Sequence, residues 1–151
     1  MKKTMIAILM SLALIAVGIA PVMAADGKDI TSLVAGGSSG SINSSAAFTA
    51  GASSKITGNV TAMAAVTIGA EAAVTGNVKA GAAFTSGANS TIGGNVTAVA
   101  DFTSGANSVI AGDVFVTGSI TLGAGSRVVG SIHTGTGVIV YGRGATVGSV
   151  K

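Results

Sequence analysis

The stretch MAAVTIGAEAAVTGNVKA, from Met63 to Ala80, decides the fold because it is one unit of an eighteen-residue repeat. Related units flank it without insertion or deletion: SAAFTAGASSKITGNVTA at 45–62 and GAAFTSGANSTIGGNVTA at 81–98. The series continues with VADFTSGANSVIAGDVFV at 99–116 and TGSITLGAGSRVVGSIHT at 117–134. A fixed period that fills most of a 151-residue chain predicts one repetitive domain.

The repeat has the alternation of β-strands. We number each unit from position 1 to position 18, with unit starts at residues 27, 45, 63, 81, 99, 117 and 135. Positions 4 and 16 are apolar in every unit, position 12 is apolar in the five central units, and all charged residues from Lys55 onward fall at odd positions. Three apolar clusters per unit predict an all-β fold, a three-sided parallel β-solenoid of about seven 18-residue coils. At a coil spacing of about 4.8 Å the rod would be roughly 34 Å long.

Glycine recurs at position 14 and predicts a tight corner in each coil, where the backbone needs a positive φ. The predicted corner glycines are Gly58, Gly76, Gly94, Gly112, Gly130 and Gly148, with Gly40 in the first unit. The next position holds Asn59, Asn77, Asn95 and then Asp113. This pattern predicts a ladder of side chains along the corner that hydrogen bond to the backbone or to each other.

The N-terminus predicts export. It begins with the basic MKK, continues with an apolar run at 5–20, and ends with a small-residue pattern at 22–24. This is the pattern of a secretory signal peptide, and the apolar run is shorter than the roughly 20 residues of a membrane-spanning helix. We expect cleavage near Ala24, a degenerate N-terminal coil or cap at 25–44, and the β-solenoid domain at 45–151. The expected location is the periplasm, the cell surface or the extracellular space.

The composition argues against catalysis and nucleic-acid binding. Two of the eight basic residues belong to the predicted leader, so six remain against five acidic residues, a net charge of about +1. His133 is the only histidine and there is no cysteine, which excludes a multi-His metal site and disulfides within one chain. We expect no enzyme activity, no cofactor and no nucleic-acid partner. One alternative is an acyltransferase of the left-handed hexapeptide-repeat type, with His133 in a pocket between subunits.

Position 5 is the first candidate binding surface. Threonine occupies it in successive units and should point outward: Thr49, Thr67, Thr85, Thr103 and Thr121, with Thr31 in the first unit. Threonine is a good strand residue that stacks well on itself, which is one explanation of the pattern. The other is a flat, weakly polar array that binds an ordered surface such as ice, or that acts as an adhesin does.

The last unit is the second candidate surface. It has few charges to blunt an open strand edge and an exposed end of the core. We expect end-to-end contacts there through Val138, Val140, Tyr141, Val147 and Val150. The alternative is that Tyr141, Arg143 and Lys151 close the end and the chain stays monomeric.

The segments at 66–80 and 119–134 resemble the bactofilins, a polymer-forming cytoskeletal family. The resemblance covers roughly 41–151 and rests on a Gly-[Asn/Asp/Ser]-[Val/Ile] step in every unit, such as Gly76-Asn77-Val78. It implies a right-handed β-helix that joins end to end into non-polar filaments without nucleotide. Bactofilins are usually cytoplasmic, however, whereas this chain has a predicted export signal. We therefore expect a structural protein that self-assembles into filaments or a surface scaffold, with itself and the cell envelope or another ordered surface as partners.

Overall fold

The computed structural model describes residues 30–151, which form a parallel β-solenoid of seven coils without any helix. This confirms the predicted fold class. Each coil contributes strands to three faces, which we call A, B and C. The predicted signal peptide, at 1–24, lies outside the described residues, and β1 to β3 of the first coil fall within the predicted cap at 25–44. Within 30–151 there is no helix that could span a membrane.

The faces repeat in the same order along the chain. Face A contains β1 (Ser32–Leu33), β4 (Phe48–Ala50), β7 (Val66–Ile68), β10 (Phe84–Ser86), β13 (Phe102–Ser104), β16 (Ile120–Leu122) and β18 (Ile139–Tyr141). Face B contains β2 (Ser38–Ser39), β5 (Lys55–Ile56), β8 (Ala73–Val74), β11 (Thr91–Ile92) and β14 (Val109–Ile110). Face C contains β3 (Ile42–Ser44), β6 (Val60–Ala62), β9 (Val78–Ala80), β12 (Val96–Ala98) and β15 (Val114–Val116). Two longer strands span faces B and C in the last two coils, β17 (Arg127–Thr134) and β19 (Thr146–Val150).

Every strand pairs in parallel with its counterpart in the next coil. Face A is a seven-stranded sheet, and faces B and C form one twelve-stranded sheet because β17 runs through the corner between them. In coils 2 to 6 the register is the sequence period, so Phe84 stands beside Phe102 and Val96 beside Val114. Backbone hydrogen bonds between the coils, such as that from the Val78 N–H to the Asn95 carbonyl at 2.8 Å, hold the stack together.

The core fills the prism between the faces with the inward residues of each strand. In coils 2 to 6 the three-residue strands on face A bury their first and last residues and expose the middle one. The phenylalanines at position 4 are fully buried, and the rings of Phe84 and Phe102 stack with centroids 5.3 Å apart. Burial of such a side chain stabilises the fold by about 1.5–3 kcal/mol, so the stacked core is the main source of stability.

The two end coils depart from the predicted register by one residue. In coil 1, Ser32 and not Thr31 pairs with Thr49. In coil 7, Ile139 and not Val138 pairs with Ile120. A one-residue shift exchanges the inward and outward residues of a strand, and here it buries Leu33 beside Ala50.

The same shift changes face B of the last coil. Val147 stands beside Val128, whereas the repeat phase predicts Thr146 at that inward position. The shift therefore turns a β-branched apolar side chain, not a hydroxyl, toward the core, where Val147 is partly buried. The corner before β18 is one residue longer than in the other coils, and a register irregularity in the β17–β19 pairing restores the period on face C.

Candidate functional site

The corner glycines pack closely but do not adopt the predicted backbone conformation. Glycines with positive φ are Gly36, Gly125 and Gly144, none of which is at position 14. A Cβ atom added to Gly76 would instead meet the Asn59 Oδ1 atom and lie 2.6 Å from the Gly58 carbonyl oxygen. The prediction of a positive φ at position 14 is therefore wrong. The physical reason for glycine there is the close approach of the preceding coil.

Gly130 and Gly148 also lie at the corner between faces B and C, but within strands β17 and β19, which continue through that corner. The other five predicted corner glycines lie between strands of faces B and C, as expected: Gly40, Gly58, Gly76, Gly94 and Gly112.

The left-handed residues form a different corner, between faces A and B. It contains one residue with positive φ in each coil: Gly36, Ser53, Glu71, Asn89, Asn107, Gly125 and Gly144. In coils 2 to 6 this is position 9, which holds Asn in two coils and Gly in one, and both residue types favour left-handed backbone. These residues are the sequence signal for this corner, whereas the prediction above placed the positive φ at position 14.

The side chains at position 15 form the predicted ladder. The Asn77 N–H donates to Asn59 Oδ1 at 2.8 Å, and the Asn95 N–H donates to Asn77 Oδ1 at 2.8 Å. The Asp113 and Ser131 N–H groups continue the pattern on the preceding side-chain oxygens. Each bond joins consecutive coils, so the ladder has a structural role.

The threonine ladder is a repeated surface on face A of the rod. Its members are exposed and directly in register: Thr49, Thr67, Thr85, Thr103 and Thr121. Ser32 and Val140 stand beside its two ends, so Thr31 is not part of it. Ala47, Ala65 and Ala83 lie two residues before three of these threonines, and the resulting surface is uncharged over coils 2 to 4.

His133 lies on face C against Phe115. Their rings stack with centroids 4.5 Å apart and planes within 12°. Beside them is a shallow, open depression of about 320 Å³ whose lining includes Thr97, Val99 and Thr117. Among residues 30–151, no group of three or more His, Asp or Glu side chains could hold a metal ion.

The last coil differs from the rest of the rod in the apolar surface that it leaves exposed. Val138 is 67% exposed, Val140 53%, Tyr141 49% and Val150 52%, while Val147 is partly buried. Val150 stands beside Ile132, which is fully buried. Strands β18 and β19 each pair on one side only within 30–151, so their outer edges are open. The five residues predicted to make end contacts therefore lie together at one end of the rod.

Comparisons of this chain with protein families, with curated proteins and with solved structures find no match. The resemblance to bactofilins stays a prediction from the sequence.

Proposed function

We propose that this protein is a non-enzymatic structural protein whose rods join end to end into filaments or a surface scaffold. The observation that carries the proposal is the exposed apolar end formed by the last coil. Tyr141 and Val150 stand beside the buried Leu122 and Ile132, yet they are 49% and 52% exposed because no coil covers them within 30–151. An exposed end of an apolar core is typical of interaction sites.

The open edges of the last coil add hydrogen-bonding capacity to this apolar surface. Strand β19 is five residues long and β18 three, and both are parallel edges that another strand can extend. Natural proteins usually protect such edges with charges, prolines or a covering element. In β18 and β19 there is neither a charged residue nor a proline.

The expected strength of the contact is moderate. Completing the burial of the two inward residues, Tyr141 and Val150, contributes roughly 1 kcal/mol each, and each edge hydrogen bond contributes about 0.5–1.5 kcal/mol. Association costs about 4–15 kcal/mol in lost translational and rotational freedom. These quantities are similar in size, so assembly should depend strongly on protein concentration.

Sedimentation velocity and negative-stain electron microscopy of the purified exported chain test the proposal. We expect thin unbranched filaments whose length rises with concentration. The variant Val150→Lys places a charge at the open end of the core and should abolish them. Val99→Lys is the matched control, because Val99 is similarly exposed but lies at a mid-rod corner. A monomer at every concentration, or equal effects of the two variants, would contradict the proposal.

The proposed location is outside the cytoplasm, as the predicted signal peptide implies. Cell fractionation with N-terminal sequencing of the exported form tests it, and we expect the mature chain to begin near Ala25. If the protein stays in the cytoplasm with its first 24 residues intact, the rod fold is unaffected but the proposed surface scaffold is excluded.

A second candidate function is a secreted binding module that uses the threonine ladder on an ordered surface such as ice. The specific observation is the exact register of five exposed threonines, which repeats at about 4.8 Å along the rod. Thermal hysteresis and ice-recrystallisation assays test it, with Thr67→Leu and Thr85→Leu expected to remove activity. Thr91→Leu is the control, because Thr91 is an exposed strand threonine on face B. Wild-type protein without activity in both assays would eliminate ice as the ligand.

A further inference from the structure

The two end coils share a corner that no interior coil has. Between faces B and C, coil 1 turns through two residues, Gly40-Ser41, and coil 7 turns through Gly148-Ser149 between the inward Val147 and Val150. Each interior coil places three residues there, as in Thr75-Gly76-Asn77. The strand pairing shows the same difference. Paired residues of coils 1 and 2 are 17 positions apart in the sequence on face B and 18 positions apart on face C.

The short corner interrupts the register at both ends of the rod. In the last coil the offset falls from 19 residues at Val128 and Val147 to 18 at Ile132 and Val150. Stacking a two-residue corner on a three-residue corner leaves one residue of the longer corner unpaired, as in a β-bulge. Stacking two short corners on each other leaves none.

We propose that the last coil of one chain stacks on the first coil of the next chain, head to tail, with the two short corners in contact. This inference rests on the proposed end-to-end assembly and adds which ends meet. In this arrangement Val140 stands beside Ser32, Val147 beside Ser39, and Val150 beside Ile42 of the next chain. The spacing of these residues along the two coils agrees, so all three faces continue in phase without an irregularity.

The ladder of hydrogen-bonded side chains at the corner between faces B and C also continues across this join. Ser149 Oγ lies 2.7 Å from Ser131 Oγ at one end of the rod, and at the other end Ser41 Oγ accepts the Asn59 N–H at 3.3 Å. Ser149 and Ser41 occupy the same place in the two short corners. Head-to-tail stacking therefore makes one ladder that runs from chain to chain.

The two surfaces contribute differently to the join. The core side chains of the first coil are already covered in the single chain, with Leu33 2% and Ile42 0% exposed, so stacking there has to displace that cover, whereas Val150 is 52% exposed. The gain in apolar burial comes mainly from the last coil. The first coil contributes strands β1, β2 and β3, which are edge strands among the described residues.

A contact between unlike ends is heterologous, and it propagates as an open polymer when it does not close into a ring. All chains in such a filament point the same way. The resemblance to bactofilins implies non-polar filaments, so the two predictions for filament polarity differ and can be tested.

Compensating insertions test the corner match. A threonine inserted after Val147, or after Ser39, restores a three-residue corner in one end coil and creates a mismatch at the join. We expect each single insertion to raise the critical concentration for assembly at least tenfold, with an unchanged circular dichroism spectrum. The double insertion should restore assembly to within a few-fold of wild type. Failure of the double insertion to rescue, with both single variants folded, would overturn the head-to-tail join.

Cysteine cross-linking identifies the ends directly, because the chain has no cysteine of its own. Ser32→Cys and Val140→Cys place thiols at exposed positions that head-to-tail stacking brings to about 4.8 Å between Cα atoms, within disulfide range. A mixture of the two single variants should give a disulfide-linked heterodimer on mild oxidation. Thr85→Cys, in the same ladder at mid-rod, is the control and should not cross-link. Asn43→Cys with Lys151→Cys is a second pair, on face C, should the first pair fail to fold.

The outcomes separate the two proposals. Filaments in which Val140→Cys links mainly to itself show a tail-to-tail join and overturn the polarity while preserving end-to-end assembly. Filaments in which neither cysteine pair cross-links also overturn it. Absence of any filament in wild-type protein contradicts the assembly proposal itself.

Discussion

At the scale of single residues, glycine is required at position 14 by the close packing of neighbouring coils and not by a positive φ. Gly76 packs against Asn59 Oδ1 and the backbone of Gly58, so any side chain at this position must displace the coil below. We expect Gly76→Ala to lower the free energy of unfolding by about 1–3 kcal/mol, the usual cost of overpacking. Urea denaturation at a concentration where the chain sediments as one species measures it.

Gly40→Ala is the control for this prediction. Gly40 occupies position 14 of the first unit, but a Cβ atom added there meets nothing within 4 Å. Its substitution should change the stability by less than about 0.5 kcal/mol, as is usual for an open surface site. Equal losses in the two variants would mean that backbone conformation and not packing requires the glycine.

The buried serines at position 10 allow a second prediction. Ser126 Oγ donates to the Gly123 carbonyl oxygen at 2.7 Å, whereas Ser90 Oγ is buried without a partner. Ala72 fills the same position in another coil. Since an unpaired buried hydroxyl costs about 1–3 kcal/mol, Ser90→Ala should raise the free energy of unfolding by roughly 1 kcal/mol. Ser126→Ala should lower it by about 1 kcal/mol, and a loss in both variants would contradict the assignment.

At the scale of the strands, the sequence predicted the interior coils well because alternation and period agree there. Positions 4, 12 and 16 point inward in coils 2 to 6, as their apolar residues indicate. The register of the end coils could not be predicted from the repeat, because each end coil pairs with only one neighbouring coil among the described residues. Tertiary packing then selects the register that buries Leu33 and turns Val147 inward, and the corners absorb the one-residue difference.

The candidate surfaces were predictable to different degrees, because alternation and period agree in the interior coils but not in the end coils. The threonine ladder follows from strand alternation alone, and its outward direction is confirmed. The exposed residues of the last coil were identified, although Val138 lies just before strand β18, which begins at Ile139. The short corners at the two ends were not found from the sequence, because they become visible only when the pairing partners of β2 and β19 are known.

The asparagine ladder carries a prediction at this scale, since each rung connects two coils. Asn77 Oδ1 accepts the Asn95 N–H at 2.8 Å, so Asn77→Leu leaves that amide without its acceptor. We expect a loss of about 1 kcal/mol and faster hydrogen exchange at the Asn95 amide. Asn77→Asp keeps an acceptor oxygen, as Asp113 does two coils later, and should preserve the protection. Fast exchange at Asn95 in both variants would show that the ladder needs the amide group itself.

At the scale of the whole molecule, the rod is a stack of nearly equivalent coils in which each coil contacts only its neighbours. Stability in such proteins is approximately a sum of contributions from the coils and from the interfaces between them. The register in the middle of this rod equals the repeat length, so coil 3 could accept coil 5 in place of coil 4. Phe102 would then stand beside Val66, and Asp113 would continue the corner ladder from Asn77.

Deletion of residues 81–98 tests this modularity, because it removes one eighteen-residue unit and joins Ala80 to Val99. We expect the shortened chain to fold cooperatively, with a β-sheet circular dichroism spectrum and a urea m-value lower by about one-seventh, since m scales with the surface exposed on unfolding. Deletion of 81–89 removes half a unit and brings a face B strand directly after a face C strand. That variant should lose cooperative unfolding, because its inward residues no longer stack on those of the next coil. Similar behaviour of the two deletions would mean that coil register does not govern the fold.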